Sequence, residues 1–146
     1  MRRALVLGLF FSLALAGGLD FSLGVRETGA RQFLSSVGLS LDAGPLWFRA
    51  GVRFGAPNGI LAEGSVAYRM ATPLLSLFLG GGPALGLTVR EEGGRYRFAV
   101  GDARYALFFA GLALPDRGYR PYLEAAYYLG DEPFARLSLG FVMEVF

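Results

Sequence analysis

From position 19 onward the chain repeats one pattern: apolar residues alternate with polar or small ones, and short clusters of Gly, Pro, Asn, Asp and Glu interrupt the alternation. Side chains change sides at every residue only in a β-strand, so a period of two leaves little room for helix and asks for antiparallel strands joined by hairpins. The clearest run is 46–55, where Leu46, Phe48, Ala50, Val52 and Phe54 share one side while Trp47, Arg49, Gly51, Arg53 and Gly55 share the other. The run 136–145 opposes Leu137, Leu139, Phe141, Met143 and Val145 to Arg136, Ser138, Gly140, Val142 and Glu144, and the run 19–26 opposes Leu19, Phe21, Leu23 and Val25 to Asp20, Ser22, Gly24 and Arg26. Further strands are expected over 31–42, 60–70 and 119–129, with turns at Ala43-Gly44-Pro45, Asn58-Gly59, Thr72-Pro73 and Asp131-Glu132-Pro133.

The stretch 74–114 reads as one long hairpin that turns at Glu91-Glu92-Gly93-Gly94, which sets Arg90 opposite Arg95. That register places Pro83 opposite Asp102, so the break at Gly80-Gly81-Gly82-Pro83 and a slip of the alternation at Gly101-Asp102-Ala103 become one shared bulge. A turn at each break would give ten strands instead, but 74–79 is too short to cross a bilayer. Eight strands is the better count.

An alternating sheet closed into a barrel can put its apolar side inward, as a soluble barrel does, or outward into lipid. Fourteen charged residues share the polar side: Asp20, Arg26, Asp42, Arg49, Arg53, Glu63, Arg69, Arg90, Arg95, Arg97, Arg120, Glu124, Arg136 and Glu144, whereas the apolar side of the assigned runs carries only Arg31. Such segregation suits lipid, where an Arg near the bilayer midplane costs about 2 to 4 kcal/mol in a barrel. The polar side is also rich in glycine (Gly24, Gly38, Gly51, Gly55, Gly82, Gly86, Gly140), which makes room for arginines in a crowded lumen. Tyr68 and Tyr119 fall on the apolar side near one expected membrane boundary, and Tyr96 and Tyr127 near the other, as two interfacial girdles. A soluble barrel enclosing an apolar ligand is the alternative.

The first sixteen residues read as a targeting segment: Arg2 and Arg3, an apolar run over 4–15, then Ala14-Leu15-Ala16 as a small-x-small cleavage site. The expected organisation is a signal peptide at 1–16 and a single barrel domain at 17–146; the apolar run is short for a spanning anchor. Without Arg2 and Arg3, twelve arginines face twelve acidic residues, so the formal charge of +2 belongs to the leader and gives no reason to expect a nucleic-acid partner. All the basic residues are arginine, and the chain has neither histidine nor cysteine. Ser-His-Asp catalysis, thiol chemistry and the usual zinc sites are thereby closed to it, and no catalytic residue, metal or cofactor is expected.

Over nearly all of 17–146 the chain resembles the small, about eight-stranded, porin-like β-barrels of the bacterial outer membrane. The resemblance implies an all-β, antiparallel up-and-down transmembrane barrel, an outer-membrane location, contact with outer-membrane lipids and insertion by the barrel-assembly machinery. That machinery reads a terminal aromatic in proteins of this kind, which would make Phe146 the assembly signal. Counting back in twos from Phe146, Val142 fits the family's apolar pattern and Glu144, Gly140 and Ser138 depart from it.

Within such a barrel, Arg26, Arg53, Arg90, Arg95, Arg97 and Arg136 are expected to gather in one half of the lumen, with Glu63 in the same charge network. The functional expectation is a structural or accessory protein whose lumen is closed by side chains. Its first alternative is a narrow channel or binding protein for small anionic or apolar molecules, the arginines serving as the anion contact. Each outer loop spans only about four residues, near the hairpin minimum, which argues against adhesion or receptor binding.

Overall fold

The alternating runs pair in chain order. The structure, a computed structural model, describes residues 17–28, 30–56, 59–115 and 118–145. Among these, eight strands form: β1 (Gly17–Thr28), β2 (Ala30–Ala43), β3 (Leu46–Ala56), β4 (Gly59–Ala71), β5 (Ser76–Glu92), β6 (Arg95–Ala113), β7 (Tyr119–Gly130) and β8 (Phe134–Glu144). Each is antiparallel to its neighbours, and β1 pairs with β8 through Leu19↔Met143 and Leu23↔Leu139, so the sheet closes on itself and has no free edge around its waist. Residues 1–16, expected to be a signal peptide, and Phe146, expected to be an assembly signal, lie outside the described residues.

Closure gives the two faces opposite fates. Leu23, Phe33, Leu79, Phe108 and Leu139 point outward and are each more than half exposed, while Asp20, Arg26, Arg53, Arg120, Glu124 and Arg136 point inward and are each less than a tenth exposed. A soluble barrel with its apolar side inward does not fit this polarity. Outward residues still pack with one another along the wall; the Phe21 and Phe141 rings, paired across the β1–β8 seam, stack at 5.3 Å.

The long hairpin forms as one unit, with a different register from the expected one. Its turn is the pair Gly93-Gly94, both at positive φ (60° and 75°), the backbone of a two-residue type I′ turn that glycine adopts at little cost. Centring the turn there draws Glu91 and Glu92 into β5. The pairs are then Glu92↔Arg95 and Arg90↔Arg97 rather than Arg90↔Arg95, and Pro83 meets Ala106 rather than Asp102.

The two irregularities are consequently separate. Between Leu85↔Arg104 and Leu87↔Val100, Gly86 alone stands against Gly101, Asp102 and Ala103, a bulge carried by β6. Two extra residues preserve parity, so the alternation does not slip, and Tyr105, Leu107 and Phe109 face inward on the same side as Gly101. At Pro83 the strand runs on, but the β4–β5 ladder has no pair between Glu63↔Ala84 and Val66↔Gly81. Proline has no N–H to donate there, and a Cβ on neighbouring Gly82 would lie 2.8 Å from the Ser65 Cα.

Beyond that bulge β5 and β6 leave the wall. The last pair that β5 makes with β4 at this end is Ile60↔Leu87, and the last that β6 makes with β7 is Tyr105↔Gly130. Pairs from Thr88↔Ala99 to Glu92↔Arg95 continue as a free two-stranded ribbon, which extends roughly 15 Å past the rim at the usual rise per residue.

Candidate functional site

Among the described residues, the lumen is where the fold concentrates charge away from solvent. Strand parity delivers Asp20 from β1, Arg49 and Arg53 from β3, Glu63 from β4, Glu124 from β7 and Arg136 from β8 into the middle of the lumen. Glu124 is wholly buried and bridges two arginines, at 2.5 Å from Arg49 Nη1 and 2.5 Å from Arg136 Nη2. Arg49 also lies 3.6 Å from Asp20, whose other oxygen accepts a 2.5 Å hydrogen bond from the Tyr122 hydroxyl.

A second knot joins the first from the side. Arg53 meets Glu63 fork to fork, with Nε to Oε1 at 2.8 Å and Nη2 to Oε2 at 3.0 Å, and Tyr128 donates its hydroxyl to the same carboxylate. Ser22 and Ser36 share a hydrogen bond of 2.6 Å beside it, and Arg136 donates to Ser138 at 3.1 Å. Each carboxylate of the two knots meets at least one guanidinium, the pairing that buried ions require, while the buried Arg136 Nε has no hydrogen-bond partner.

Rings close the lumen on both sides of this ionic middle. Toward the chain termini, Trp47 sits edge-on to Phe78 at 5.1 Å and to Tyr122 at 5.5 Å, with Phe109 behind Phe78. The Arg49 guanidinium lies 4.8 Å from the Trp47 ring and 4.7 Å from that of Phe109, so it is held by cation–π contacts as well as by carboxylates. Toward the hairpin tips, Tyr128 and Phe134 stack at 4.2 Å with planes 8° apart, and Tyr105 meets both edge-on. Among the described residues the interior cavity beside Asp20, Arg49, Arg53, Glu63 and Tyr122 measures about 20 Å³, room for about one water molecule.

At the terminal end, Asp42 is clasped by Arg120, with oxygens at 2.5 and 3.3 Å, and by Arg69 at 3.2 Å. Lumen glycines serve the rings rather than the arginines in several places: a Cβ on Gly111 would collide with the Phe78 ring, and one on Gly130 would stand 2.7 Å from that of Tyr105.

The sequence-predicted residues divide. Arg26, Arg53, Arg136 and Glu63 are inside the lumen, where Arg26 donates to Gln32 and lies 5.7 Å from the Phe134 ring. Arg90, Arg95 and Arg97 are not there; they sit on the free ribbon, with Arg97 71% exposed and 3.8 Å from Glu92. Of the girdle tyrosines, Tyr68 and Tyr119 are exposed near the terminal end and Tyr127 near the tips, but Tyr96 stands on the ribbon opposite Glu91, above the rim rather than level with Tyr127. The ring plugs escaped the sequence reading although a signal existed: Tyr122 and Tyr128 share the parity of Arg120 and Glu124, and Phe134 that of Arg136.

No protein-family model matches the chain, and no curated protein matches it in sequence. Its fold is similar to that of Neisserial surface protein A, with a TM-score of 0.64 and 13% identity over 88% of this chain and 96% of that one. The N-terminal β-barrel domain of Pseudomonas aeruginosa OprF matches at 0.60 and 14% over 86% and 96%, and a de novo designed transmembrane β-barrel at 0.59 and 11% over 88% and 95%. At these identities the likeness is one of fold: a small, closed, eight-stranded barrel.

Proposed function

We propose that the chain is an outer-membrane protein whose barrel spans the bilayer with its lumen sealed, in a structural or accessory role without catalysis. The observation that carries this reading is the inverted polarity of the wall. An outward face bearing Phe33, Leu23 and Leu139 at 85%, 70% and 65% exposure needs an apolar solvent, and a closed barrel presents no free sheet edge to it around its waist. Strands β7 and β8, twelve and eleven residues long, are about the length a tilted strand needs to cross hydrocarbon.

On this reading the leader at 1–16 exports the chain, both chain ends face the periplasm, and Phe146 presents the barrel to the assembly machinery. The lumen holds its ions in place rather than passing them. Arg49 and Arg136 are each bonded to Glu124, and ring plugs stand above and below, so among the described residues side chains occupy the path a solute would take.

Two measurements test the proposal together. The mature protein should fractionate with the outer membrane and run as a compact band on unheated gels that shifts on boiling. In planar bilayers it should give no steady conductance; single-channel steps with anion preference would overturn the sealed lumen, and a mature chain that stays monomeric in plain buffer would overturn the membrane assignment.

A further inference from the structure

The ribbon formed by the outer ends of β5 and β6 is amphipathic and uncovered. Its outward face carries Val89, Tyr96, Phe98 and Val100 at 49%, 73%, 72% and 57% exposure, in line with the apolar belt below, with Glu91 beside Tyr96 next to the turn. Its other face carries Arg90 and Arg97 directly opposite each other, with Arg95 next along the same side, opposite Glu92, which leaves three cations to one carboxylate. Two like charges in one cross-strand pair destabilise a ribbon, and an isolated two-stranded hairpin is marginal in water. Among the described residues the only ion pair on this face is the exposed Arg97–Glu92 contact, and Arg90 and Arg95 have none.

Both faces call for the same kind of molecule. We propose that the β5–β6 ribbon is a docking surface for an anionic, phosphate-bearing lipid of the leaflet on the hairpin side, with the acyl chains against Phe98 and Val100 and the phosphate among Arg90, Arg95 and Arg97. Acyl chains give Phe98 the cover it lacks, and a phosphate group offsets the Arg90–Arg97 repulsion while accepting from several guanidinium donors. The ribbon has two free edges, so long arginine side chains can snorkel past them to the headgroup level with their stems still on apolar surface. A soluble anion would satisfy the arginines and leave Phe98 bare. A neutral lipid would do the reverse.

This inference rests on the membrane reading above, and the experiment separates the two. The mature barrel, folded in neutral detergent, is titrated with phosphatidylglycerol, phosphatidylcholine or inorganic phosphate, and bound molecules are counted by native mass spectrometry. Phosphatidylglycerol should be held at least about tenfold more tightly than phosphatidylcholine, and the triple variant Arg90→Gln, Arg95→Gln, Arg97→Gln should abolish that preference while keeping its heat-modifiable band. Replacing Phe98 and Val100 by Ser should weaken retention of both lipids.

Equal retention of the two lipids by a folded, detergent-dependent barrel overturns the lipid site alone. A preference that survives the triple substitution does the same, as does phosphate competing at the concentration of the lipid. Monomeric behaviour without detergent sinks the membrane reading and this inference with it.

Discussion

Arg53 and Arg97 have the same side chain on the same face of the sheet, yet one is almost fully buried and the other 71% exposed. Arg53 lies where all eight strands are paired, so other strands bring Ser22 to its guanidinium and Tyr128 to the carboxylate it holds. Arg97 lies on the part of β5 and β6 that runs past their last pairs with β4 and β7, and among the described residues no opposite wall buries it. Facing inward therefore means something only below the rim; parity decides the side of the sheet, and closure decides the environment.

The sharpest way to break that contrast is Glu124→Ala. It leaves Arg136 without a carboxylate in the sealed lumen and Arg49 with Asp20 alone, and removing one partner of a buried pair costs about 3 to 5 kcal/mol. Urea unfolding of the barrel in lipid vesicles should show the loss, and an unchanged midpoint would mean that water reaches these arginines. Next is Leu139→Arg, which moves a guanidinium to the outside at mid-wall; it should cost about 2 to 4 kcal/mol in vesicles and leave a soluble barrel unharmed.

Tyr128→Phe removes a donor from the Glu63 carboxylate while keeping the stack on Phe134, and should cost about 1.5 to 3 kcal/mol. If it proves neutral, the fork with Arg53 satisfies Glu63 by itself. Smallest is Arg97→Gln: with its one ion pair exposed, the unfolding midpoint should stay where it is, and a shift comparable to that of Tyr128→Phe would show that the ribbon folds against the barrel mouth.

Much of the molecule is legible in its residues because period two is a local property. The eight strands, the outward leucines and phenylalanines, and the inward Asp20, Arg53, Glu63, Glu124 and Arg136 all follow from alternation without knowledge of any partner. Register is less local. The turn expected over 91–94 is centred one residue early because the adjacent glutamates look like loop residues, while positive φ at both glycines is what centres the turn.

The lumen plugs were missed for a related reason. Tyr105, Leu107 and Phe109 look like lipid-facing residues to anyone who expects the inner side of a barrel to be polar. Filling a narrow lumen takes volume, and rings packed over Gly111 and Gly130 supply it.

What the sequence determined alone is which residues share a face, because each peptide unit turns its side chain over whatever surrounds it. The tertiary structure decided how far each strand has neighbours. The wall on either side of β5 and β6 ends below Arg90, Arg95 and Arg97, and that height is set by where four other strands turn, so three arginines of lumen parity stand outside the lumen.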